Sequence, residues 1–302
     1  MIIDKPLVVI DTSCVMHLVF QFQDSDGKPI FPYTNKQRDE RIQKTVEIYN
    51  TLYFLGDNIN PSDYEILWVG DSVEVPYWRR KYWWDWWNSL DEKTQNKLIK
   101  PGTIKRKGYK GNRTSTPDAL WCKKRFNKLS NCLMYDGYEA DDIAATVNLL
   151  YPDRRIIFMT IDSDWLQLVN NYKTWVCLKG TYFPQYRDVQ AGMGWFYEKL
   201  YKGTKKEQKL AEDETLNLRK IPYWKHIAGD NSDNLCAKSP IELIDLYNPP
   251  EEFQLWTQEN ILVDIKSKII SPQPIISIDE MLNDALELGM TGLTPALKEF
   301  YG

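Results

Sequence analysis

An α/β chain with a mostly parallel central sheet and helices on both faces is what this sequence predicts. Three observations predict it. Short runs of apolar, β-branched and aromatic residues recur between residues 7 and 178, and runs with no polar alternation read as strands buried on both faces. Helix-period stretches separate several of them, as crossover connections between parallel strands do. Aspartates stand just past the ends of several runs, where ligands collect in an open parallel sheet.

LVVI (7–10) and YEILWVG (64–70) are the first two strands. Between them, residues 36–55 read as a helix, with Ile42, Val46, Tyr49 and Tyr53 at spacings of three and four. CLMY (132–135) and RIIFMT (155–160) are further strands, joined by the helix EADDIAATVNLLY. A helical WLQLVNNY and a strand TWVCL (174–178) follow. Past Ile221 the character changes: SPIELIDLY, EEFQLWTQENILVDI and IDEMLNDALELGM read as helices separated by proline-containing turns. Residues 1–235 are therefore expected to form one unit and 236–302 a smaller helical region.

Composition narrows the chemistry. The 302 residues are 43% hydrophobic, enough for a sizeable core. No run reaches the roughly 18 apolar residues of a membrane span, and MIIDKPLVVIDTS has no small-residue cleavage site of a signal peptide. The five cysteines are scattered without a CxxC pair, which fits a reducing cytoplasm and not a zinc site. With only two histidines, any catalysis falls to carboxylates.

Charge is unevenly spread. Residues 77–128 carry fifteen Lys and Arg against four Asp and Glu, a balance of +11, which leaves −15 on the rest of a chain of net charge −4. A basic segment on an acidic body suits a polyanion partner. Within it, Trp78, Trp83, Trp84, Trp86 and Trp87 are interleaved with Arg79, Arg80 and Lys81. Aromatic faces beside cations are what single-stranded nucleic acid binding uses, although the spacing of the tryptophans also suits a packed helix face.

Nine acids fall into five groups: Asp11 and Asp71 after strands, Glu139, Asp141 and Asp142 at a helix start, Asp162 and Asp164 in MTIDSDW, and Asp230 and Asp233 in GDNSDN. Singly, such residues are turn formers and helix caps. Brought together they would repel, and hard divalent cations with oxygen ligands remove that repulsion. On a regular helix Glu139 and Asp141 diverge, so all three acids of EADD converge only if Glu139 precedes the first turn.

VIDTS, VGD, YKGNR, GYEADDIAA, TIDSDW and GDNSDN, in that order, resemble the motifs of the 5′-nuclease superfamily of flap endonucleases and polymerase-associated 5′→3′ exonucleases, and above all its T-even phage members, which share YWRR and a tail like QENILVDI. The resemblance implies a PIN-like core with a helical arch over residues 76–113. It implies two Mg²⁺ ions, replaceable by Mn²⁺: Asp11, Asp71, Glu139 and Asp141, with Asp142 beside them, would serve one ion, and Asp162, Asp164, Asp230 and Asp233 the other. Lys110 and Arg113 match the catalytic basic pair that contacts the scissile phosphate. Arg79, Arg80, Lys81, Tyr109 and Lys238 are the further expected nucleic-acid contacts, with 236–302 as a DNA-binding region. Two departures stand out: the arch segment is long and tryptophan-rich, and no glycine occurs between Gly229 and Gly289, where the family carries a glycine-rich helix-hairpin-helix.

The expected function is Mg²⁺-dependent hydrolysis of phosphodiesters at DNA flaps and at DNA or RNA–DNA 5′ ends, including ribonuclease H-type primer removal in phage replication. The chain is expected to act as a monomer away from membranes, with a replication clamp or single-strand binding protein as partner by analogy. A catalytically inactive structure-specific DNA binder and a PIN-type endoribonuclease are the alternatives.

Overall fold

The structure, a computed structural model, describes residues 4–20, 34–52, 55, 60–73, 77–99, 108–111, 117–169, 173–179, 183–187, 221–230, 232–272, 279–280 and 283–284. In chain order its main elements are β1 (Leu7–Asp11), α1 (Thr12–Phe20), α2 (Asn35–Asn50), β2 (Glu65–Val69), α3 (Trp78–Ser89), α4 (Glu92–Leu98), α5 (Pro117–Phe126), β3 (Cys132–Leu133), α6 (Ala140–Leu150), β4 (Ile156–Met159), β5 (Lys173–Lys179), β6 (Phe183–Arg187), α7 (Ile221–Ala228) and α8 (Ile261–Lys268).

The six strands form one sheet in the order β3-β2-β1-β4-β5-β6, parallel from β3 to β5, with β6 antiparallel at the edge. The chain leaves β1 for β2 on one side and later returns to β4 on the other. The gap between the carboxyl ends of β1 and β4 is thus the point where strand order reverses, the usual ligand crevice of such sheets.

Alternating side chains divide the core into two layers. Val8, Ile10, Ile66, Trp68, Ile157 and Met159 face one way and pack with α1, α2 and α5. Leu7, Val9, Leu67, Val69, Ile156 and Phe158 face the other way, against α6 and residues 246–265. This is the period-two geometry of a strand applied to runs that are apolar at every position. Trp68 is fully buried, so its indole N–H needs a partner; it donates to Asn50 Oδ1 at 2.9 Å, tying β2 to α2.

Several expected elements are shorter than the sequence suggests. Of CLMY only Cys132 and Leu133 pair with β2. The described part of WLQLVNNY, residues 165–169, is not an α-helix: Ser163–Leu168 form a 3-10 turn capped by Asp162, and residues 170–172 lie outside the described residues. The C-terminal helices also shrink, to 3-10 turns at Ile241–Leu243, Glu251–Phe253 and Leu255–Thr257 before α8. Pro240 and Pro250 each stand at the position before such a turn, and proline lacks the N–H that would extend a helix backward through it. Of IDEMLNDALELGM only residues 279–280 and 283–284 lie among the described residues, all helical.

The expected division after residue 235 is crossed by the core. Leu246, Leu255, Ile261 and Ile265 belong to the second layer, and Ile270 bridges antiparallel to Ile66. A third apolar cluster joins Trp83, Trp87 and Tyr109 to Leu235, Cys236, Leu243 and Ile244. Trp83 and Trp87 stack face to face, centroids 5.1 Å apart and planes within 9°. Trp78 stacks on Phe253 at 4.8 Å. Trp84 and Trp86 are partly buried against the same cluster. Trp78, Trp83 and Trp87 therefore pack inward and Trp84 and Trp86 are half-buried beside them, which favours the packed helix face of the two readings that the spacing left open. Their i, i+4 spacing, which also suits an aromatic stripe on the surface, here marks the face by which α3 grips the C-terminal segment.

Candidate active site

All five acidic groups reach the carboxyl edge of the sheet, each by a local device. Asp11 is the last residue of β1; its Oδ1 accepts the Ser13 N–H (2.8 Å) and its Oδ2 the Thr160 hydroxyl (2.8 Å) just beyond β4. Asp71 follows Gly70 at the end of β2. A Cβ at Gly70 would stand 2.4 Å from Met134 Cε and 2.5 Å from Thr12 Oγ1, so any larger residue would displace these two side chains. Asp71 Oδ1 accepts the Ala140 N–H (3.1 Å) in the first turn of α6, where a carboxylate is favoured by the helix dipole.

Glu139 is extended (φ −100°, ψ 163°) and stands just before α6, the placement required for it to share a site with Asp141. Asp141 Oδ1 accepts the Trp165 indole N–H at 2.8 Å. Asp162 Oδ1 accepts the Asp164 N–H at 2.9 Å, so the pair forms a compact capped turn instead of an extended stretch. Asp230 and Leu235 exchange main-chain hydrogen bonds (3.0 and 2.7 Å) that close the loop containing Asp233. That loop is clamped to YKGNR: the Lys110 N–H donates to Asp233 O (2.8 Å) and Asn234 Nδ2 to Gly108 O (2.6 Å).

Four basic side chains are set into the acids. Arg79 Nη1 lies 3.2 Å from Glu139 Oε2 and 2.7 Å from Asp142 Oδ2. Lys110 pairs with Glu139 Oε1. Lys123 Nζ lies 3.3 Å from Asp71 Oδ2 and 2.8 Å from the Tyr77 hydroxyl. Lys225 pairs with Asp164 Oδ1 and stands 2.7 Å from Asp230 Oδ2. Among the described residues neither Asp11 nor Asp141 is ion-paired. Lys123 and Lys225 were not singled out from sequence. Lys123 lies in the basic segment counted there, and Lys225 stands one helical turn before the glycine that opens GDNSDN.

Burial and mutual repulsion leave their mark on the acids. Desolvation, then the charge of Asp71, pushes the Asp11 carboxyl up to about 7. Asp164 is likewise raised to about 7, by burial and by Asp162, Asp233 and Asp230, in spite of Lys225. Burial and Asp162 raise Asp141 well above the ordinary range. Asp71 runs the other way: burial would raise it, but Lys123 and Lys110 outweigh burial and hold it low. Asp230 is similarly held at about 2, mainly by Lys225 against the effect of burial.

Three expected residues take different roles. Arg79 is 1% exposed, its Nε donating to Leu243 O at 2.8 Å, so it is an interior counter-charge and not a nucleic-acid contact. Tyr109 is 2% exposed and donates its hydroxyl to Glu139 Oε2 at 2.9 Å, leaving no ring face for a base. Asp142 Oδ2 already accepts from Trp78 Nε1 (3.2 Å), Arg79 Nη1 (2.7 Å) and the Glu139 N–H (2.9 Å), which makes that oxygen a structural acceptor. Arg80 is half-buried, and Lys81 and Lys238 are exposed. Arg113 lies outside the described residues.

The donor set is all oxygen and carries more negative charge than its lysines and arginine neutralise, which suits a hard divalent cation. Among the described residues no three acids stand in a ready-made cage; the fit is one of donor chemistry and charge. It holds for Asp11, Asp141 and Asp162, and for Asp71 once the partly exposed Lys123 ammonium, 3.3 Å from its Oδ2, gives way; the charges of these acids act on one another. It does not hold for Asp164 and Asp230 as they stand, because an ammonium already occupies their facing oxygens.

No protein-family model matches the chain, and no curated protein matches it. Among solved structures it is similar to a zinc-bound phage T5 5′-exonuclease (15% identity, 94% of this chain and 86% of that one, TM-score 0.41). It is also similar to a phage T5 flap endonuclease in a pseudo-enzyme–product complex with DNA and metal ions (18% identity, 94% and 86%, TM-score 0.41). A phage T5 protein co-crystallised with metal ions aligns over 99% of this chain and 100% of its own, at 14% identity and a TM-score of 0.38.

Proposed function

We propose that this chain is a divalent-metal-dependent nuclease that hydrolyses phosphodiesters at 5′ flaps and 5′ ends of DNA and RNA–DNA duplexes. The observation that carries the reading is the convergence of acids from five separated stretches on the strand-order reversal, with Lys110 beside them. The ordered set of motifs, VIDTS through GDNSDN, adds to it.

Asp11, Asp71, Asp141 and Asp162, with Glu139 behind them, would hold the ion, Mg²⁺ or in its place Mn²⁺. Bound there, such an ion lowers the pKa of a coordinated water and polarises a phosphoryl oxygen. The chain's own residues do the rest. Thr160 and Ser13 fix both oxygens of Asp11, and Trp165 orients Asp141. Lys110, anchored through its own main chain to Asp233, holds a positive charge at the acids' edge, where a phosphate oxygen gains charge during cleavage. The backbone of Lys110 is left-handed (φ 50°), and that local strain is carried by the clamp to the GDNSDN loop.

The test is cleavage of a 5′-labelled flap and a 5′-recessed RNA–DNA duplex. Activity should require Mg²⁺ or Mn²⁺ and fall at least a hundredfold in Asp71→Asn and Asp162→Asn. A flap that binds tightly but stays intact would favour the inactive DNA binder, and preferred cleavage of single-stranded RNA would favour the PIN-type endoribonuclease.

A further inference from the structure

Lys225 lies in α7, whose last residue is Ala228, and Gly229 follows directly. There the backbone turns left-handed (φ 75°), and a Cβ would come 2.8 Å from Leu235 O. The Gly229 N–H donates to Lys225 O at 2.8 Å, so the helix closes directly onto Asp230. This geometry folds the Lys225 side chain back over the loop it precedes, between Asp230 and the capped turn of Asp162 and Asp164. Its ammonium pairs with Asp164 Oδ1 and Asp230 Oδ2, and all three side chains are less than a tenth exposed. After those two, the charges of Asp233 and Asp162 act on it most strongly. One cation is thus set among the four carboxylates, Asp162, Asp164, Asp230 and Asp233, for which the family resemblance implies a metal ion.

We propose that Lys225 is the resident cation of the Asp164–Asp230 half of the site, and that a divalent ion enters this half only by displacing it. The two halves then bind metal unequally. An ion entering beside Asp11 and Asp141 meets carboxylates that no lysine among the described residues pairs with and, at Asp71, a partly exposed ammonium 3.3 Å away. An ion entering beside Asp164 and Asp230 competes instead for oxygens held by one buried ammonium. A buried ion pair is costly to separate, because each partner is left desolvated without its counter-charge. Lys225 has three N–H donors on a flexible stem, so it can withdraw without unfolding α7. Vacating the second half in this way makes its occupancy sensitive to metal concentration, while the first half stays filled.

The inference rests on the metal-dependent reading above, and the experiment separates the two. The metal-free full chain is titrated with Mn²⁺, free ion is counted by electron paramagnetic resonance, and bound ions are examined for spin–spin coupling. Wild type should take one Mn²⁺ with an affinity at least tenfold above that of the second. Lys225→Met should bring the second ion to within about threefold of the first and give the coupled spectrum of two neighbouring ions at one-tenth the Mn²⁺ that wild type needs. If Lys225→Met does not fold, Lys225→Gln, which can still bridge the two acids by hydrogen bonds, is titrated instead with the same two outcomes. Two ions of equal affinity in wild type, or an unchanged second affinity in the folded variant, would overturn the inference and leave the metal-dependent reading intact. No Mn²⁺ bound at millimolar concentration would overturn both.

Discussion

The Arg79 guanidinium and the Asp142 carboxylate meet at 2.7 Å in an interior where the two side chains are 1% and 5% exposed. The same Nη1 also faces Glu139, and the Arg79 Nε holds Leu243 O. One side chain thus joins α3, the start of α6 and the C-terminal segment. Removing one partner of a buried pair is worse than replacing both, because the survivor keeps its charge without a counter-ion. Arg79→Met should lower unfolding stability by about 3–5 kcal/mol, and Arg79→Met with Asp142→Asn should lose less than the single variant. Urea unfolding checks both; a single-variant loss under about 1 kcal/mol would contradict the buried counter-charge role.

Asp11 makes the opposite case, a buried acid with hydrogen bonds but no cation. Its folded value, about 7, lies above the ordinary 3.8. Between those two values the folded state holds a proton that the unfolded state has released. The contribution of Asp11 to the stability of the metal-free protein therefore falls as pH rises from about 4 to 7 and stays low above 7, beside like contributions from Asp164 and Asp141. Asp11→Asn removes this slope, so metal-free Asp11→Asn should melt several degrees above metal-free wild type at pH 8, with the difference vanishing near pH 4. Thermal unfolding in a chelator at the two pH values measures it. An Asp11→Asn protein less stable than wild type at pH 8 would show that Asp11 is already neutralised.

The architecture was legible because parallel strands buried on both faces leave so plain a trace: LVVI and RIIFMT admit little else once acids follow them. Asp11, Asp71, Asp162 and Asp164 reached the expected edge of the sheet for the same reason, since strand ends fix where their successors go, whereas Asp230 and Asp233 are brought there by the closure of α7 at Gly229. What the sequence hid was charge compensation. Arg79 sits in a run of cations beside tryptophans and reads as surface, yet the aromatic stripe beside it is the packing face of α3 and carries Arg79 inside. Lys225 has the same character: a single lysine in an apolar helix, PYWKHIA, gives no sign of two acids waiting until the turn at Gly229 brings them to it. Three-dimensional closure, not local pattern, decides which cations are interior. The proline-punctuated C-terminal stretch misled in the other direction, because its apolar periodicity serves 3-10 turns that pack against the sheet as well as helices would.

Lys110 and Lys123 flank Tyr77, their ammonium groups 5.9 and 5.4 Å from its ring centre, but they are held differently and should fail differently. Lys110 is one-tenth exposed and fixed on Glu139. Its charge is already in place before any substrate arrives, so it can act on the transition state without reorganising. Lys123 belongs to the basic helix α5 and bridges Asp71 and the Tyr77 hydroxyl. A cation bound at Asp71 would take over that carboxylate and free the ammonium for a phosphate. Lys110→Met should therefore lower kcat by roughly 10²–10³ with little change in KM. Lys123→Met should instead raise KM and reduce the slope of log affinity against log salt by about 1, as loss of one phosphate contact does. Single-turnover cleavage of a 5′ flap at several salt concentrations separates the two, and equal losses of kcat in both variants would dismiss the division of labour.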